Sequence, residues 1–485
     1  MYDGLHYSAT LSSILPQVII VATIFVCAMF DAFGASKKWL VGMIALLGLG
    51  GGIASAIYLW GENVIAFSNM ISMDDFSLII SITVMVAGLV SILMSLKYID
   101  DVDGEAGHFY LLVLSSILGM MFLVAATNLI VLVLSLELMS LSIYPLVGLT
   151  YEREASLEGS MKYLVLGAFA TAFLLYGIAL VYSVVGTTNM YVISRTLSSR
   201  QDLMTNVVMM AGIAFVLVGF SFKVALVPFH AWTPDAYQGA PAPVTGFMAA
   251  AVKAASFAAI IKLVMVVLSS YHVPVSEAMW WLSVATMFAG NVIAVLQKNV
   301  KRMLAYSSIA HAGYVVVGLV PGSVFGISSA VFYLISYTFT ITGSFAVITY
   351  LEKKDGTGND LSDYSGLSRS HPVLSLIMSV FMLSLGGIPP TAGFMAKFYV
   401  FSAAVRGGYV GLAVFGILTS VVSLYYYLRI VYAMYFEEPE RVTDAPVAVG
   451  ISTGIAIALW GVVQLGILPS DIMGLAMRSV QSLMH

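Results

Sequence analysis

Fourteen apolar stretches follow one another through this chain, each near the ~20 residues that carry a helix across the hydrocarbon of a bilayer. They lie at about 11–30, 39–60, 76–97, 108–126, 128–150, 161–185, 206–228, 243–269, 278–297, 302–320, 325–351, 372–403, 408–436 and 446–468. Lipid offers no partners to exposed peptide groups, so spanning segments of this length must be helices that satisfy their own backbone. Only 9% of residues are charged and mean hydropathy is +0.97, where a soluble domain carries about 25% charged residues. The expected fold is therefore an all-α polytopic membrane protein. The longest connections, near 186–205 and 352–371, leave no room for a soluble domain. The start, MYDGLHYSAT, has no Lys or Arg, so the first apolar stretch reads as a retained helix and not a signal peptide.

Lysine and arginine placement orients the array. Odd-numbered connections and their edges hold Lys37, Lys38, Lys97, Arg153, Lys162, Lys298, Lys301, Arg302, Lys353, Lys354, Arg369 and Arg441. The opposite side holds only Arg195, Arg200, Arg406 and Arg478. Odd connections should face the cytoplasm, with both termini on the outer face of a bacterial cytoplasmic membrane. Lys223, Lys253, Lys262, Lys397 and Arg429 fall inside the spans.

The twelfth stretch is too long for one span. At 1.5 Å per residue, 372–403 would measure about 48 Å against a core near 30 Å. Its middle, Gly386-Gly387-Ile388-Pro389-Pro390, loosens the helix and removes two backbone donors. We expect a broken helix there, with Lys397 just beyond, and a milder interruption in span seven, where Lys223 precedes Pro228. Interrupted helices at corresponding places in two halves point to a transport site. Spans four to eight map onto nine to thirteen with an offset of 170–174 residues. This gives an N-terminal three-helix segment (1–107), two inverted five-helix repeats (108–269 and 270–436) and a final helix (437–485).

Charges inside the membrane are costly and default to functional readings. Glu137, in VLSLELMSLSIYPLVG, must be protonated, paired or hydrated. It is either the movable partner of Lys223 or a static staple between helices. Lys223, Lys253 and Lys397 are candidate proton carriers: a lysine begins near pKa 10.4, burial can lower it by 3–5 units, and a carboxylate raises it again. The bland reading of each is snorkelling to an interface, which we assign to Lys262, near the end of span eight. Arg429 is equally an interfacial or a structural residue. His311, in LAYSSIAHAGY, is a candidate relay between Lys253 and Lys397, or a hydrogen-bonded core histidine. His230 and Asp235, in PFHAWTPDAYQGAP, lean towards turn architecture. The acidic runs Asp100–Glu105 and Glu152–Glu158 read as solvated faces, without EF-hand spacing.

Several chemistries have no carrier here. A single cysteine, Cys27, leaves no disulfide framework and no ligand set for an iron–sulfur cluster. There is no phosphate-binding loop or dinucleotide fingerprint. A net charge of −4 gives no sign of nucleic-acid binding.

PFHAWTPDAYQGAPAPVTGFMAAAVK, KNVKRMLAYSSIAHAGY and GGIPPTAGFMAKFYVF closely resemble the antiporter-like membrane subunits of proton-pumping NADH–quinone oxidoreductase (respiratory complex I). QGAP and GIPPTAGF favour the subunit N branch. The resemblance covers essentially the whole chain. It implies that Glu137, Lys223, Lys253 and Lys397 occupy the family's proton-relay positions. It also implies no cofactor on this chain, with FMN, iron–sulfur clusters and quinone on partner subunits. Partners would be the antiporter-like M and the small membrane subunits J and K. Movement of one charge against 100 mV costs about 2.3 kcal/mol, and nothing in the sequence supplies it, so the expected chain is an obligate part of a larger complex. Two alternatives are a subunit of a multisubunit Na⁺/H⁺ antiporter and a structural subunit whose buried charges only fix helix register.

Overall fold

A computed structural model describes residues 11–32, 38–101, 106–268, 272–353, 356–439 and 446–483. The start MYDGLHYSAT and most of the acidic run Asp100–Glu105 lie outside the described residues. The order is α1 (Leu15–Ala32), α2 (Lys38–Tyr58), a hairpin of β1 (Val64–Ala66) and β2 (Ile71–Met73), then α3 (Asp75–Asp101), α4 (Ala106–Ala125), α5 (Leu129–Val147), α6 (Glu154–Val185) and α7 (Met190–Ser199). There follow α8 (Val207–Lys223), α9 (Thr233–Gly239), α10 (Ala242–Val267), α11 (His272–Val295), α12 (Val300–Leu319) and α13 (Val324–Leu351). The chain continues with α14 (Pro372–Gly386), α15 (Ala392–Arg406), α16 (Val410–Phe436), α17 (Val449–Ile467) and α18 (Pro469–Ser482). The hairpin is antiparallel, with Val64 opposite Met73.

Among the described residues, eleven helices are long and apolar enough to cross a membrane, and α8 and α14 are shorter apolar helices. The protein is thus a mostly helical polytopic membrane protein. Apolar length sets the helices and short polar residues set their ends. Asn128, Asn189, Asn206 and Asn299 each sit in extended backbone and accept a bond from the first turn of α5, α7, α8 and α12, which satisfies donors that a helix start leaves orphaned. Asn128 also divides α4 from α5, where the hydropathy pattern is nearly continuous.

Packing places α10 and α13 at the centre. Of their apolar windows, 89% and 94% of residues are buried, against 33% for α6. α6 instead turns Phe169, Phe173 and Tyr176 outward. A Cβ on Gly177 of α6 would lie 2.7 Å from the Gly212 carbonyl of α8, so the absence of side chains lets these two backbones touch.

Two regions read as connections are more structured than expected. Residues 186–205 contain amphipathic α7 and a short 3-10 turn, and 361–370 hold two further helical turns. The long stretch 372–403 is occupied by two helices, α14 and α15, on either side of Gly387–Thr391.

Candidate functional site

Three lysines and one histidine are buried along the interior, and each is held by hydroxyl, carbonyl or ring groups. Lys223 is the last residue of α8 and is 3% exposed. It donates to Ser140 Oγ of α5 at 2.8 Å and lies over the rings of Tyr144 and Tyr163, 5.8 and 5.7 Å from their centroids. Glu137, one turn before Ser140, is half-buried and accepts from Thr171 of α6 at 2.6 Å. Glu137 and Lys223 therefore occupy one neighbourhood, but each has its own neutral partner and they share no direct ion pair.

Lys253 follows a π turn at Met248–Val252, a distortion often found at functional sites. Its ammonium donates to the Ser308 carbonyl of α12 at 2.5 Å and to the Ser308 hydroxyl. Tyr337 lies below it at 5.9 Å.

Lys397 belongs to the interruption between α14 and α15. Gly387 ends α14 in the left-handed region, at φ 85°, and the prolines behind it cannot donate. The carbonyls of Leu385 and Gly386 accept from Lys397 Nζ, both at 2.9 Å, and Ser420 accepts at 2.8 Å. The negative end of a helix dipole thus receives the cation. Tyr314 covers it at 5.1 Å.

His311 lies between the second and third lysines in the network. Its Nδ1 pairs with Tyr333 at 2.6 Å and its Nε2 with Tyr427 at 3.0 Å. Tyr427 also meets Ser307. This is the geometry of a hydrogen-bonded core histidine, one turn along α12 from Ser308, which Lys253 reaches, and one turn before Tyr314, which covers Lys397.

Other charges depart from the sequence reading. Lys262 does not snorkel: it is 2% exposed, pairs with Asp74 at 3.4 Å and donates to the Val124 carbonyl at 3.0 Å. Its ammonium is turned towards the start of α3 and the end of α4. Lys301, counted above on a cytoplasmic connection, is fully buried and pairs with Glu352 at 2.8 Å. Glu352 also accepts from Tyr98 at 2.9 Å, the Ala242 N–H at 2.8 Å, Asn359 at 3.1 Å and Arg153 at 3.4 Å. Burial pushes the Glu352 carboxyl up, but Lys301 and Arg153 outweigh it and hold it below the usual range. Asp235, in the first turn of α9, is held by Lys162 and Arg302, each at 2.6 Å, and so ties α9 to α6 and α12. Burial raises its carboxyl and the two cations bring it below the ordinary value. Arg429 donates to the carbonyls of Val295, the last residue of α11, and Gln297 just beyond it. Glu158 pairs with Lys162 at the exposed start of α6.

The fold and this line of buried cations define a class: the proton-translocating, antiporter-like membrane subunits. A family profile described as "NADH:quinone oxidoreductase/Mrp antiporter, TM" matches residues 126–423, and the chain belongs to this family, in its NADH-quinone oxidoreductase subunit N branch. It is 42% identical to NADH-quinone oxidoreductase subunit N of Trichlorobacter lovleyi, over 98% of both chains. A chain of respiratory complex I from Thermus thermophilus superposes with TM-score 0.81 at 33% identity, covering 95% of this chain and 98% of that one. A chain of the Mrp complex from Dietzia sp. reaches TM-score 0.87 at 20% identity, which shows a shared fold.

Proposed function

We propose that this chain is the proton-translocating membrane subunit of an NADH–quinone oxidoreductase, coupling electron transfer on partner subunits to proton movement across the membrane. One observation carries the mechanism: Lys223, Lys253 and Lys397 are buried and, among the described residues, touch hydroxyls, carbonyls and aromatic rings with no carboxylate in contact. A lysine held only by neutral acceptors has no anion to retain its proton. Glu137, bound to Thr171 beside the Lys223 site, is the carboxylate whose approach or withdrawal sets whether Lys223 holds a proton. Lys253 and His311 pass it towards Lys397. The tyrosines and serines around them orient the exchange. The potential opposes each charge by about 2.3 kcal/mol per 100 mV, so the driving force comes from the rest of the complex.

In this reading the chain crosses the membrane fourteen times, with α8–α9 and α14–α15 as the broken helices of two inverted repeats, 108–269 and 270–436. The face bearing Lys301 and Glu352 is cytoplasmic. Both termini and the β-hairpin lie on the outer side of a bacterial cytoplasmic membrane. Subunits M, J and K are neighbours, and FMN, iron–sulfur clusters and quinone reside elsewhere in the complex. The family also includes Mrp antiporters, but sodium favours carboxylate and carbonyl oxygen, and the polar line here is built on cations.

The test is Lys253→Met in the assembled complex. Proton pumping should collapse at normal assembly. Normal quinone reduction together with normal pumping would reject the relay.

A further inference from the structure

One buried charge pair stands apart from the line of lysines. Lys262 of α10 and Asp74, just before α3, meet at 3.4 Å, with side chains 2% and 5% exposed. Asp74 also accepts from Ser72 at 2.9 Å and from the Ser77 N–H and hydroxyl, both at 2.7 Å. Asp74 forms part of the wall of a cavity of about 590 Å³, where Asn63, Asn69, Ser72, Asn189 and Arg195 share the lining with Ile65, Tyr191 and Val192. These residues come from the hairpin and the start of α7, on the face opposite Lys301 and Glu352.

The interior side of the pair is also polar. Ser81, Ser116 and Ser256 carry buried hydroxyls without a hydrogen-bond partner, the kind of group that orders water in a protein interior. They sit on α3, α4 and α10, which pack on one another. Nine residues separate Lys253 from Lys262, about 13.5 Å of rise and two and a half turns, so the lysines point to opposite sides of α10. Ser256 lies between them in depth and in rotation, about 4.5 Å beyond Lys253. Ser81 is one turn from Ser77, which Lys262 approaches at 3.4 Å. Buried hydroxyls on three packed helices thus lie in the region between the Lys253 site and a charge pair that borders the cavity.

We propose that Lys262 and Asp74 form a proton port, through which the Lys253 site exchanges protons with the outer aqueous phase by way of this vestibule. The proposal rests on the relay reading above. Proton transfer from Lys262 to Asp74 neutralises both, vestibule water then takes the proton from the carboxyl, which returns Asp74 to its anion, and the Lys253 site returns a proton to the Lys262 amine through water held by the intervening hydroxyls. The competing role is a static staple between α3 and α10. The two roles separate because replacement of both members of a buried pair by neutral groups is often harmless to stability, whereas loss of one strands a charge.

The experiment uses the whole complex in sealed vesicles, with pumping and quinone reduction both measured. The double variant Lys262→Met with Asp74→Asn keeps an acceptor for the start of α3 and removes both charges. The port predicts loss of pumping to the level of Lys253→Met. Wild-type pumping in the double variant would overturn the port and leave the staple. If that variant fails to assemble, Ser72→Cys, labelled after assembly with a membrane-impermeant cationic thiol reagent from the outer side, gives the answer. Cys27, the chain's single cysteine, is buried, and a reagent-treated complex with the unaltered chain is the reference. Labelling should stop pumping, and full labelling without effect would overturn the port. Normal pumping by Lys253→Met would instead reject the relay itself.

Discussion

Two sets of buried cations in this protein are held in opposite ways. Lys301 and Arg153 share one carboxylate, Glu352, whose two oxygens take five donors. Lys223, Lys253 and Lys397 touch hydroxyls, carbonyls and aromatic faces, and among the described residues none of them forms an ion pair. A cation locked to an anion and saturated with bonds is fixed in place and in protonation. One held by neutral acceptors keeps its position when its proton leaves. Scaffold and carrier are thus distinguished by partner chemistry, since burial is common to both. Lys262 stands between the sets, with an anion at 3.4 Å and a cavity beyond that anion.

The largest effect should come from the scaffold. Glu352→Ala leaves Lys301 and Arg153 facing each other without their anion, and loss of one partner from a buried pair costs about 3–5 kcal/mol. The chain should fail to accumulate in the assembled complex, seen as loss of the band on native gels. Normal assembly would show that the cluster is not a scaffold. Lys223→Met should behave in the reverse manner: normal assembly and severely reduced pumping, because a neutral side chain of similar length preserves packing and removes the charge. If it instead abolished assembly, the distinction between carrier and scaffold would fail at that position.

A smaller effect is expected at Thr171, whose hydroxyl bonds Glu137 at 2.6 Å. Thr171→Val keeps the shape and removes that donor, worth roughly 1.5–3 kcal/mol for a charged acceptor. Released from Thr171, Glu137 is free to approach Lys223, and retention of its proton should slow turnover several-fold with assembly intact. An unchanged pumping rate would mean that the position of Glu137 is set by other contacts.

The same distinction explains what could be read in the sequence. Helix positions were legible because apolar length is a local property, and the asparagines that cap α5, α7, α8 and α12 stand in the sequence beside them. That Lys223, Lys253 and Lys397 are buried was legible because a lysine deep in an apolar run has few bland explanations. Lys262 and Lys301 were not: near a helix end, hydropathy gives the same value to a lysine reaching for water and one turned into the core. What distinguishes them is a partner far away, Asp74 or Glu352, separated from its lysine by 188 or 51 residues. A weak signal did exist, since Asp74 and Glu352 flank apolar spans at their edges. The role of Arg429 was left open for the same reason, and its carbonyl acceptors at the end of α11 come from folding, not from spacing.

The smallest predicted effect concerns Asp235, which joins α9 to Lys162 of α6 and Arg302 of α12 near the surface. Its side chain is 25% exposed, so solvent screens the pair and the contribution to stability is modest. The pH dependence gives it a signature. Because its folded carboxyl lies below the ordinary value of about 3.9, the contribution is fully present above that value and is lost as pH falls through the lowered folded value. Asp235→Asn removes the titrating group. The gap in melting temperature between the solubilised wild-type and variant complexes should therefore be small and constant from pH 7 to about 5, and narrow below about 4. A gap that widened on acidification would reverse the sign and show that Asp235 is not the anion Lys162 and Arg302 hold. Pumping should be unaffected throughout, because this carboxylate belongs to the scaffold.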